Sequence, residues 1–198
     1  MPLPNRVTPF GAMEASPARG LFMGNRGGRF HDPATKAIPG RPFATRRWII
    51  CALDFKERRR LPWSEGYTEL FFCDEVTALA AGHRPCMECR RAQALLFRRS
   101  AFEGGAFASL PSCPELDAAL HAERPGPPRC AEAASLPEGA MVAIGGRAFA
   151  MRDGRLAPWS QRGYGAPIAA PAGPVEVLTP PASLAALRAG YAPIWSAL

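Results

Sequence analysis

Apolar residues come in short runs separated by turn-forming residues, and the runs differ in period. RRWIICALDF at 46–55 is β-branched and aromatic at its centre and predicts a buried strand, as does YTELFF at 67–72. The two are expected to pair as a hairpin around the basic connection KERRRLPWSEG. Upstream, LFMGNRGGRFH at 21–31 reads as a strand, a turn at Asn25 and Gly27–Gly28, and a second short strand. Residues 1–20, rich in proline and small residues, read as an irregular arm. Asp74 is placed to cap a short helix running through Ala81, with Gly82 as its stop. After Pro85 a second helix is expected from about Cys86 to about Ser100. It would turn Ala92, Leu95 and Leu96 inward and Arg90, Arg91, Arg98 and Arg99 outward.

Residues 103–137 contain GG, LPSCP and RPGPPRC and read as a linker around the short helical run LDAALHAER. Beyond it MVAIGG, RAFAM and RLAPW, divided by Gly-Gly and Asp153-Gly154 turns, predict an antiparallel meander, and VEVL and SLAALRAG a strand and a helix. VEVLTPPASLAALRAGYAP resembles YTELFFCDEVTALAAGHRP in its order of strand, helix, Ala-Gly and proline, a coincidence expected of any Gly-capped strand-helix unit. The fold class is therefore α+β. Hairpins and two short helices occupy 21–102, and a small, mainly antiparallel β unit ending in a helix occupies 138–198.

Composition changes this picture in two ways. With 22 prolines and 19 glycines in 198 residues, long regular elements should be few. The start carries no signal pattern and no apolar run approaches the roughly 20 residues that cross a bilayer, so the expectation is a cytoplasmic protein without a membrane partner. Six cysteines in a reducing compartment point to metal binding or burial rather than disulfides. The net charge of +7 is concentrated in the first hundred residues, at Arg46–Arg47, at Lys56 with Arg58, Arg59 and Arg60, at Arg90–Arg91 and at Arg98–Arg99. Such clusters suit a surface that meets phosphates, although charged runs are more often solvated faces and an arginine-rich composition is a bland alternative. Trp48 and Trp63 flank the cluster of Arg58, Arg59 and Arg60 and are placed either to stack bases or to fill a core.

The chemistry gathers at Cys86-Met87-Glu88-Cys89, a CxxC whose spacing lets two thiolates reach one zinc ion. A redox CxxC is the competitor, but no thioredoxin-like strand pattern accompanies it. The run ELFFCDEVTALAAGHRPCMECRR, within residues 68–91, resembles the strand, helix and AGFRPCKRCRP-like knuckle of Ada-type metal-binding domains. Residues 21–55 resemble the family more weakly, GNRGGRFH at 24–31 being similar to the opening hairpin of related small modules. Thr35 stands where those modules have a cysteine, which makes Cys51 the next thiol and 32–50 an insertion.

The resemblance implies a small zinc-knuckle domain holding Zn2+ on His31, Cys51, Cys86 and Cys89. His83 and Cys73 are contenders for the fourth ligand; both read more readily as packing residues, and His121 as a helix-surface residue. A closed Cys3His set is structural. The resulting expectation is a zinc-stabilised nucleic-acid-binding protein, with DNA preferred over RNA and a link to DNA repair or processing by analogy. Three alternatives stand beside it: methyl transfer from a phosphotriester to a zinc thiolate, a metal-dependent nuclease using His31, Asp32 or His83, and a protein-interaction module using the C-terminal unit.

Overall fold

A computed structural model describes residues 2–57, 61–124 and 127–196. In chain order the elements are β1 (Arg6–Val7), β2 (Met13–Glu14), β3 (Phe22–Arg26), β4 (Trp48–Cys51), β5 (Leu70–Phe72), α1 (Glu75–Ala80), β6 (Arg84–Pro85), α2 (Arg91–Glu103) and α3 (Cys113–Glu123). They continue with β7 (Arg129–Glu132), β8 (Met141–Ile144), β9 (Arg147–Arg152), β10 (Arg155–Ser160), β11 (Gly163–Tyr164), β12 (Pro174–Val177) and α4 (Pro181–Arg188). The α+β expectation holds. One sheet runs β2-β1-β5-β3-β4-β6 and the other β11-β10-β9-β8-β12-β7.

In the first sheet β3 lies between β4 and β5, antiparallel to both, so the expected hairpin of 46–55 with 67–72 does not form. Gly24 makes this insertion possible: a Cβ there would lie 2.1 Å from the Ile49 carbonyl oxygen and 2.8 Å from the Phe72 ring. The supposed arm contributes two short strands, β1 pairing with β5 in parallel. No second strand follows the Gly27–Gly28 turn, because Phe30 N and His31 N both donate to Thr68 Oγ1 rather than to a strand neighbour.

Strand alternation gives this sheet two unlike faces. Phe22, Ile50, Leu70 and Phe72 point into a core closed by Leu79 of α1, Phe97 of α2, and Leu116 and Leu120 of α3. Asp74 caps α1 by accepting from Thr77 N, as expected. Helix α2 starts five residues later than predicted, because residues 87–89 form a turn closed by Arg90 N donating to the Cys86 carbonyl. The buried face also differs from the expected one. Ala94, Phe97, Ser100 and Ala101 are buried, whereas Leu95 and Leu96 are 39% and 51% exposed and Ala92 is exposed as well. Helix α3 is no linker: a capping box between Ser112 and Glu115 starts it, and its leucines fill the core.

The β8–β9–β10 meander matches expectation, with positive φ at Gly145, Gly146, Asp153 and Gly154 forming its turns. The final helix unites the two halves. Ala182, Ala186 and Leu187 of α4, with the following Tyr191, belong to the first core, while Leu184 belongs to the cluster under the second sheet. Its approach to α2 is close enough that a Cβ on Gly104 would meet the Ala185 carbonyl oxygen at 2.1 Å. The units expected at 21–102 and 138–198 therefore share a hydrophobic core. The resemblance between the two strand-helix runs corresponds to real local structure. His83 N bonds Ala78 O after Gly82, and Tyr191 N bonds Ala186 O after Gly190, the same helix ending twice. No helix among the described residues is long and apolar enough to cross a membrane.

Buried charge ties the helices to the sheet. Arg84 reaches both carboxylate oxygens of Asp117 on α3 at 2.8 and 2.9 Å. Arg90 engages Glu75 of α1, which also accepts from the Tyr191 hydroxyl at 2.6 Å and from Ile194 N. Arg90 is thus a framework residue, not part of an exposed basic face as the helical spacing suggested.

Candidate metal centre

The site is assembled by the pairing of β4 with β6. They are parallel, with Ile49 opposite Arg84 and Ile50 opposite Pro85, and the next step of that register sets Cys51 beside Cys86. Cys86 N fixes the step by donating to the Ile50 carbonyl at 2.9 Å. The turn through residues 87–89 then brings Cys89 back toward Cys86, whose sulfur accepts from Glu88 N at 3.4 Å. The three thiol sulfurs lie within 4.8 Å of one another. Among the described residues they are the one grouping of three or more potential ligands.

Crowding makes the three thiols unequal. Cys86 is pushed far below the ordinary thiol range, chiefly because Cys51 and then Cys89 donate to its sulfur. Cys51 is pushed far above it by its hydrogen bonds to Cys86 and Cys89, and further by burial. In Cys89 the hydrogen bond with Cys51 lowers the thiol, but the bond to Cys86 and burial outweigh it and the net shift is upward. One thiolate held by two protonated neighbours is a site whose charge a cation relieves when it displaces the protons. Three soft sulfur donors at this spacing fit zinc or another thiophilic ion.

The expected fourth ligand is elsewhere. His31 is buried against Trp63, their rings stacked at 5.2 Å, and its Nδ1 and Nε2 are hydrogen-bonded to Thr68 Oγ1 at 2.7 Å and to the Ser64 carbonyl at 2.9 Å. The Gly27–Gly28 turn, with φ of 84° and 154°, directs residues 29–31 toward the 64–68 segment instead of the thiols. His83 lies on the core side of the sheet, against Phe72 and Trp48, and accepts from Arg26 Nε. The Cys73 thiol donates to Ser196 Oγ, and His121 packs edge-on to Phe43 beside Arg124. Both tryptophans are framework residues: Trp63 is fully buried, and Trp48 carries the guanidinium groups of Arg26 and Arg124 at 4.0 and 3.6 Å.

Of the predicted basic residues, Arg46, Arg47, Arg91 and Arg99 are exposed, Arg99 in a surface pair with Glu103, and Arg98 is half-buried. Arg58, Arg59 and Arg60 lie outside the described residues.

The thiols open onto a cavity of about 600 Å³ built on the sheet face opposite the core. One row of its floor is Phe71, Met23, Cys51 and Cys86, in register across β5, β3, β4 and β6. The neighbouring row is Glu69, Asn25, Ile49 and Arg84. Cys113 and Arg47 also reach the wall. Asn25, Glu69 and Cys113 were absent from the sequence-based site. The alternation of Met23 with Asn25, Ile49 with Cys51 and Glu69 with Phe71 carries the signal for the first two, once β3 is known to be central. Compared with known proteins, the chain matches no family model, no curated protein and no solved structure.

His83 makes the framework around this site acid-sensitive. Burial, then the charges of Arg26 and Arg124, hold its pKa well below 6.5, so folding keeps the ring neutral. A depressed folded-state pKa contributes stability that is complete above the unfolded value and is lost as pH falls toward the folded one. Between pH 7.5 and 5.5, metal-free wild type should lose more stability in urea titrations than His83→Gln, by about 1.4 kcal/mol per pH unit below 6.5. Equal losses in the two proteins would contradict this.

Proposed function

We propose that this is a zinc-binding, nucleic-acid-binding protein whose metal is held by Cys51, Cys86 and Cys89, with its fourth coordination position turned toward the adjoining cavity. The observation that carries the reading is the convergence of three thiols at the wall of that cavity. Zinc with three protein ligands is the arrangement that leaves room for an exchangeable one, whereas closed four-ligand sets serve folding alone. An open centre therefore takes the place of the structural Cys3His set expected from the Ada-type resemblance. That resemblance supports zinc at Cys86 and Cys89, and DNA as the partner, by analogy only.

The nucleic-acid part of the proposal rests on charge. Arg46 and Arg47 are exposed, Arg47 reaching the cavity wall, and Arg91 is exposed next to the CxxC turn. Arg90 is withdrawn from the phosphate-facing set because Glu75 occupies its guanidinium.

Metal analysis tests the centre. Wild type and His31→Ala should each carry about one zinc per chain and Cys86→Ser none; zinc retained by Cys86→Ser, or missing from His31→Ala alone, overturns the ligand set. Binding to duplex and single-stranded DNA at two salt concentrations tests the partner. Affinity should fall steeply with salt, and joint replacement of Arg46, Arg47 and Arg91 by alanine should shrink the slope by about 1 for each phosphate that is no longer neutralised. No association at low salt would leave the arginines without this role.

A further inference from the structure

The cavity has a second polar end. Glu69 is 3% exposed, lines the cavity and has no ion-pair partner among the described residues. Its Oε2 accepts from Trp63 N at 2.9 Å, while its main-chain carbonyl accepts from Trp63 Nε1. These bonds hold the residue in place and, among the described residues, leave Oε1 without a donor. A carboxylate oxygen at a cavity wall accepts strong hydrogen bonds, so a donor arriving in the cavity has a ready partner there.

Beside it stands a group of opposite character. Gly24 pairs with Leu70, and the next step of that register puts Asn25 alongside Glu69 on the cavity face. Asn25 Oδ1 already accepts from Gly27 N at 2.9 Å, which leaves the amide NH2 to face the cavity. Directly opposed residues on one face of a sheet have Cβ atoms about 5 Å apart. The pair therefore offers an acceptor next to a donor, bordered by the rings of Tyr67 and Phe71. From Glu69, Cys51 lies two strands across and one row along, about 10 Å or more away over the sheet. That gap matches a small flat molecule better than a single ion.

We propose that this end of the cavity binds an N-heterocycle of nucleobase type, whose edge carries a hydrogen-bond donor for Glu69 next to an acceptor for Asn25. An extruded base read on its hydrogen-bonding edge and packed against aromatic rings is a known way for a protein pocket to engage nucleic acid, and a free base would present the same chemistry. The assignment rests on the cavity being the ligand site proposed above, but not on the metal being present.

Calorimetric titration of 9-methyladenine, 1-methylcytosine and 1-methyluracil into zinc-loaded and chelated protein tests it. At least one base should bind saturably at a single site. Where that base is 9-methyladenine, 9-methylpurine, which lacks the amino donor, should bind at least tenfold more weakly. Glu69→Gln, accepted only if it melts like wild type, should lose at least tenfold in affinity for the bound base. A single-stranded oligonucleotide that competes with the free base places the ligand in a strand; one that does not leaves the free base as ligand, and either result upholds the assignment. No saturable binding by any of the three bases, or, where 9-methyladenine is the base that binds, equal affinity for 9-methylpurine, overturns it. Failure of the metal reading would appear separately, as absence of zinc from the loaded protein while base binding persists.

Discussion

The parallel contact between β4 and β6 is the constraint on which the rest depends. Only two residue pairs wide, it brings a thiol at position 51 against one at position 86. A pairing so short gains little from its own hydrogen bonds, so its register is held from outside. On one side Arg84 is locked to Asp117 of α3, and on the other Arg90, just past the CxxC turn, is locked to Glu75 of α1. Removing one partner of a buried ion pair typically costs about 3–5 kcal/mol, because the survivor is left charged and unpaired. These arginines therefore help keep the thiols converged before any metal arrives.

The two faces of the first sheet divide labour. Its core face is mainly apolar, with the buried Arg26 and His83 at one end, and is closed by helices from both halves of the chain, including α4. Its other face carries Cys51, Cys86, Asn25 and Glu69 around a cavity. A core shared with the C-terminal helix gives the second sheet a reason to be in the same chain: it anchors α4, which packs on α2, the helix that follows the turn positioning Cys89. The site's rigidity is thus borrowed from packing far away in sequence.

Legibility in the sequence followed the range of the physics. The cap at Asp74, the Gly82 stop and the β8–β9–β10 meander are local, and were readable because side chains and glycines within four residues decide them. The CxxC and Cys51 were found from spacing and resemblance, and the structure brings them together. His31 failed because the resemblance supplied a histidine without the loop that would carry it to the thiols; Thr68 and Ser64 claim its ring instead. Glu69 and Asn25 were missed because a buried carboxylate in YTELFF looks like any polar residue of an alternating strand until the central strand is known. On α2 the inward stripe was misread, since Ala94, Phe97, Ser100 and Ala101 pack on the core in place of Ala92, Leu95 and Leu96, while Arg91 and Arg99 are exposed as expected.

The central claim is that three sulfurs and no protein imidazole hold the metal. X-ray absorption at the zinc edge of the purified protein measures this directly. The account predicts three sulfur scatterers at about 2.3 Å and one light oxygen or nitrogen scatterer at about 2.0 Å, without the multiple-scattering pattern of a histidine ring. A clear imidazole signature would restore a histidine to the site. Four sulfurs would show that a further thiol such as Cys113, already on the cavity wall, closes it, and either result would contradict an open centre.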